Sequence, residues 1–155
     1  MFRVTPYLNN AQVLFMQGTS RDQILEALVA CAQQQHKIES SQDFLKAILE
    51  REQVVTTGVG LGIAVPHAKL ESLDEFFLCI AILDSGVDWH AIDSSPVRIV
   101  CLIGGPDHQQ TEYLQLLSGV TSVLKDEENR KKLLKAKTTQ DVLECFREAE
   151  EYLGE

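Results

Sequence analysis

Phe76-Phe77-Leu78-Cys79-Ile80-Ala81-Ile82-Leu83 and Val97-Arg98-Ile99-Val100-Cys101-Leu102-Ile103 are runs with almost no polar position on either of the two faces a strand presents. A strand with one wet face alternates apolar and polar residues; one that does not alternate belongs to a sheet covered on both sides. These two segments therefore predict central strands with helices above and below. Ser85-Gly86 and Ser94-Ser95-Pro96 are the expected turns around them. Outward from this centre, Val13-Leu14-Phe15-Met16 reads as a short strand. Ser20 caps a helix with Ile24, Leu25, Leu28 and Cys31 on one stripe. Ser40 or Ser41 starts a second helix, carrying Phe44, Leu45, Ile48 and Leu49 and ending at Glu50-Arg51-Glu52. The last third reads as three helices, Glu112 to about Leu124, Glu127 to Lys135 and Thr139 to about Tyr152. The last is capped by Thr139 with Val142 or by Thr138 with Asp141. The expected architecture is an α/β single-domain sandwich, a central mixed β-sheet flanked by helices on both faces.

Composition excludes several classes of function. The 155 residues hold 14 Lys and Arg against 23 Asp and Glu, a formal net charge of -9. Neutralising phosphates along a nucleic acid needs the opposite sign, so nucleic acid is not expected as a partner. No run reaches the ~20 apolar residues that span a bilayer, and no secretory leader opens the chain. A cytoplasmic protein without membrane insertion is expected. Cys31, Cys79, Cys101 and Cys145 lie far apart, each in an apolar run, which suits buried hydrophobes better than a metal or redox pair. The histidines form no HxxxH or HxH pair, so no metal site is expected.

The chemistry concentrates in Thr57-Gly58-Val59-Gly60-Leu61-Gly62-Ile63-Ala64-Val65-Pro66-His67-Ala68-Lys69. Three alternating glycines suggest a nucleotide loop, but a dinucleotide fingerprint must open a helix, and here a β-branched run ending in proline follows. No G-K-[ST] of a P-loop is present either. The residues alone read as a tight turn bringing the backbone close to another element. His67 follows Pro66 where the chain leaves a strand, on a stiff backbone. A neutral imidazole there has a lone pair able to attack phosphorus, with its other nitrogen oriented by a hydrogen bond. On spacing alone a half-buried structural or incidental histidine is the commoner reading.

Arg51-Glu52 followed by Thr57-Gly58-Val59-Gly60-Leu61-Gly62-Ile63-Ala64-Val65-Pro66-His67 resembles the active-site signature of the EIIA domains of the fructose/mannitol class of the bacterial phosphotransferase system, which includes the nitrogen-regulatory EIIA proteins. Gly86-Val87-Asp88-Trp89-His90-Ala91-Ile92-Asp93 resembles the family's turn between core strands, and Thr138-Thr139-Gln140-Asp141-Val142-Leu143 its C-terminal tail. The resemblance implies a single EIIA type-2-like domain over residues 1–155. It implies a phosphotransferase component that takes a phosphoryl group from an HPr-type phosphocarrier protein onto its own histidine, with neither cofactor nor metal. His67 matches the phosphorylated histidine and Arg51 the arginine beside it. Gly58, Gly60 and Gly62 would form a phosphate loop approaching the group through backbone amides. The family's second histidine falls at Tyr113 here, and the nearest imidazole is His108. Both are candidate accessory groups, although a phenol cannot become a cation at neutral pH. A stand-alone regulatory, nitrogen-type EIIA with a regulatory target protein is the first expectation. A sugar-specific EIIA serving an EIIB domain, or a regulatory binding module without onward transfer, are the alternatives.

Overall fold

The computed structural model describes residues 2–153. A short turn leads into β1 (Val13–Met16). Helices α1 (Arg21–Gln34) and α2 (Ser41–Val54) follow, then the short strands β2 (Gly58–Gly60), β3 (Ile63–Ala64) and β4 (His67–Lys69). The long strands β5 (Phe77–Val87) and β6 (Val97–Gly105) come next. Helices α3 (Gln110–Lys125), α4 (Glu127–Lys135) and α5 (Thr139–Leu153) end the described chain. The helix starts follow local chemistry. Ser20 accepts from the Gln23 amide and Ser40 from the Asp43 amide. Of the two caps open for α5, the one formed pairs Thr138 Oγ1 with the Asp141 amide, while the Asp141 carboxylate accepts from the Lys137 and Thr138 amides.

The sheet is mixed. Its order is β1-β5-β6-β3-β2, with β4 also on β6; β5 and β6 are antiparallel, whereas β1 runs parallel to β5 and both β3 and β4 run parallel to β6. Each face has its own core. Leu78, Ile80, Ile82, Ile99, Cys101 and Ile103 pack with Leu116, Val120 and Phe146 of α3 and α5. Phe77, Cys79, Ala81, Leu83, Val100 and Leu102 pack with Leu25, Leu28, Phe44 and Ile48 of α1 and α2. This two-sided burial is why the central strands carry no alternation. All four cysteines are buried free thiols. Among the described residues no helix is long and apolar enough to cross a membrane.

Three details differ from expectation. Ser85-Gly86 is no turn: β5 continues to Val87 with its register shifted between Ile82 and Val87. The glycine is there for close approach, since a Cβ on Gly86 would lie 2.6 Å from Pro96. The run ending at His67 is two strands, because Pro66 has no amide to donate; its carbonyl still accepts from the Ile103 amide at 2.9 Å, so pairing to β6 carries through. Helix α3 begins at Gln110, two residues before Glu112.

Candidate functional site

His67 opens β4, directly opposite Ile103 of β6. Strand alternation sends Ala68 into the α1/α2 core and leaves His67 and Lys69 on the opposite side, the side that α3 covers. Two helix ends meet the imidazole there. From α2, the Arg51 Nε–H donates to His67 Nε2 at 3.2 Å, and another guanidinium N–H donates to the Val55 carbonyl at 2.8 Å, fixing the arginine over the helix C-terminus. From α3, the buried Tyr113 ring lies 5.5 Å from the imidazole, centroid to centroid, tilted by 50°.

These contacts define the tautomer. The Val65 carbonyl, 3.1 Å from Nδ1, can only accept, so Nδ1 carries the proton. Nε2 is then the basic nitrogen, its lone pair turned toward a cation. Burial foremost, then the charges of Arg51 and Lys69, hold the imidazole below its ordinary 6.5, with the Val65 carbonyl and Glu52 pulling the other way. The outcome is a neutral nucleophile at physiological pH, a fixed ring and a guanidinium whose geometry matches phosphate oxygens.

The structure thus brings together His67, Arg51 and Tyr113. It places the others elsewhere. His108 sits in the loop after β6 with its side chain 63% exposed, 3.5 Å from Asp107; among the described residues no hydrogen bond or ring contact joins it to His67. His36 and His90 are exposed. The glycines do not form a phosphate loop at the imidazole. Gly58 is opposite Ala64, and Gly60 opposite Ile63, whose partners on β6 are Val100 and Ile99. His67 pairs with Ile103, three and four rungs away, or roughly 10–13 Å at the usual strand rise. The nearby amides are also engaged: Gly58 N donates to Thr56 Oγ1 and Leu61 N to the Asp93 carboxylate. Gly60 and Gly62 are glycines because the β2–β3 turn needs φ of +97° and +77° there. Gly58 is one because Ala91 and Trp89 press against it.

Two residues of the constellation escaped the sequence reading. Glu52, buried beside Arg51, accepts from the Thr57 amide (3.1 Å), the Thr57 hydroxyl and the Trp89 indole N–H (3.3 Å). It ties the end of α2 to the strand that leads to His67. A carboxylate at a helix C-terminus opposes the macrodipole, and that misfit was the available signal. Lys69 follows His67 by two residues, and strand alternation alone puts it on the same face. Among the described residues no group of three or more metal-ligating side chains occurs.

Residues 7–149 match the family described as phosphoenolpyruvate-dependent sugar phosphotransferase system, EIIA 2. A protein of Haloferax volcanii named fructose-specific EIIA component is 33% identical over 85% of this chain and 86% of its own length. A nitrogen regulatory protein of Bradyrhizobium diazoefficiens is 32% identical over 79% of this chain and 80% of its own. The crystal structure of nitrogen regulatory protein IIA-Ntr from Neisseria meningitidis superposes with a TM-score of 0.87 at 21% identity, covering 92% of this chain and 98% of that one. With the fold and most of the chain matched in this way, the protein belongs to the EIIA 2 family of the phosphoenolpyruvate-dependent sugar phosphotransferase system.

Proposed function

We propose that the protein accepts a phosphoryl group on Nε2 of His67 from the phosphohistidine of an HPr-type carrier, with Arg51 as the electrostatic partner. The observation that carries this is the pairing of an Nδ1–H held by the Val65 carbonyl with an Nε2 that faces the Arg51 guanidinium. In the transfer, the Nε2 lone pair forms the new N–P bond while the donor's N–P bond breaks and its electron pair returns to the donor imidazole. Nδ1 keeps its proton throughout. The Arg51 Nε–H moves from Nε2 to the phosphoryl oxygens, so the cation that orients the nucleophile also stabilises the product. Positioning and charge stabilisation are most of what phosphoryl transfer requires.

The phosphorylated state then serves as a signal to a regulatory target. That reading is supported by Tyr113, the group in ring contact with His67, which cannot add an imidazolium to onward transfer. A sugar-specific role, handing the group to an EIIB domain, is favoured by the 33% identity to the fructose-specific relative.

The test is incubation with phosphoenolpyruvate and the general phosphotransferase proteins, followed by intact mass. Wild type gains one phosphoryl group and His67→Ala none; equal uptake by the variant refutes the site. Loaded protein mixed with each EIIB of the organism separates the two roles, since rapid transfer to one EIIB identifies a sugar carrier.

A further inference from the structure

We propose that Lys69 is a second phosphoryl-binding cation of this site, seated by Gln110 and Tyr113. The proposal rests on His67 being the acceptor. Three observations lead to it. Lys69 lies two residues along β4 from His67, so both side chains leave the same face of a strand pinned to β6 at Ile103 and Gly105. Its ammonium is held in place: Nζ donates to Gln110 Oε1 at 2.7 Å and lies 4.4 Å from the centroid of the Tyr113 ring, the ring that itself packs on His67. And it has no anionic partner. Acids outnumber bases 23 to 14 in this chain, and seven other basic or histidine side chains have a carboxylate within 4.0 Å, yet among the described residues neither Lys69 nor Arg51 does.

Two cations acting on one imidazole without a counter-ion, in a protein with acid to spare, make a site for an anion. The β2–β3 glycines cannot neutralise it, for they lie roughly 10–13 Å off along the sheet. The ammonium carries three N–H groups and gives one to Gln110; a turn about the end of its stem directs another at a terminal oxygen of the group on Nε2. Arg51 and Lys69 then share the dianion between them. Tyr113 acts as a positioning residue, its face holding the ammonium near the imidazole.

The experiment measures two rates on the intact protein: phosphoryl uptake from the phosphorylated HPr-type donor, and hydrolysis of the resulting phosphohistidine. Lys69→Gln should slow uptake and hasten hydrolysis by about tenfold, the scale of one charge-assisted hydrogen bond to the transferring group. Lys69→Arg should restore both to within about threefold, since it returns the charge with different geometry. Tyr113→Leu, which removes the face that holds the ammonium, should resemble Lys69→Gln. Wild-type rates in Lys69→Gln overturn the proposal, as does failure of Lys69→Arg to recover in a protein that melts normally. Absence of uptake by wild type, or uptake by His67→Ala, refutes the acceptor assignment and the lysine's role with it.

Discussion

The proposed attack by His67 needs an unprotonated Nε2, and its surroundings keep it so. Because burial and the neighbouring cations hold its pKa below 6.5, phosphoryl uptake should stay flat through neutral pH and fall only when acidification passes that lowered value. An NMR titration of the ring protons against the pH profile of uptake checks this, and Lys69→Gln should move both inflections upward together. The same shift has a stability sign. Below 6.5 the unfolded chain binds a proton that folded His67 still refuses, so the unfolded state gains protons first and this residue's share of stability is lost as pH falls from 6.5 toward the folded value. At this scale much was legible. His67 after Pro66 at a strand end stood out from the residues themselves, whereas Arg51 and Tyr113 were singled out by the family resemblance, and the three meet in the fold. Glu52 was not legible as an anchor, because its partners Thr57 and Trp89 come from two other segments and meet only in the folded chain.

The β2–β3 turn shows how an element legible as geometry leaves its chemistry to be tested. Its glycines read from the residues as a tight turn, and Gly60 and Gly62 make one; their assignment to the phosphate came from the family resemblance, and the pairing to β6 sets them roughly 10–13 Å along the sheet from His67. Gly62→Ala separates the two roles. The nearest atom to an added Cβ there is the Pro96 carbonyl oxygen at 3.4 Å, so the cost is the positive φ, about 1–2 kcal/mol. Denaturant melts should show that loss, while uptake per folded molecule should match wild type; a collapse of uptake with intact folding would return the loop to the site. Glu52→Ala tests the opposite case. It leaves the Thr57 amide and hydroxyl without their acceptor, the Trp89 indole keeping the Thr57 oxygen, at a cost of about 1–3 kcal/mol, and it loosens the end of α2 that carries Arg51. Stability and uptake should therefore fall together, and loss of stability alone would mean that the anchor serves the fold only. The false turn at Ser85-Gly86 has a related origin: a glycine required by the approach of Pro96 carries the same composition as one required by a chain reversal.

Across the whole molecule, the apolar runs were sufficient to define a sheet buried on both faces, since no other arrangement hides two unalternating strands. Strand order was not in the pattern, because it depends on which short edge segments pair with β6. Nor was the closure of the chain's two ends, made by Glu150 of α5, which accepts from the Val4 amide at 2.6 Å and from the Thr5 amide and hydroxyl at 3.0 and 2.8 Å. Glu150→Ala should cost about 1–3 kcal/mol in thermal or denaturant unfolding by orphaning the buried Val4 amide and the half-buried Thr5 donors. It should leave uptake at wild-type rate, since those ties lie apart from the contacts of His67; a matching loss of activity in the folded variant would contradict that separation. The net charge of -9 sets the wider condition. A phosphoryl group adds roughly -1.5 to -2 if it behaves like other phosphorylated side chains, and on the proposed reading Arg51 and Lys69, both without a carboxylate partner among the described residues, meet that charge. The most direct measurement is phosphorus–nitrogen coupling in the NMR spectrum of the nitrogen-15-labelled, phosphorylated protein. Coupling of phosphorus to Nε2 of His67, with the Nδ1 proton retained, is the expected result; coupling to Nδ1, or to a ring of His36, His90 or His108, would contradict it.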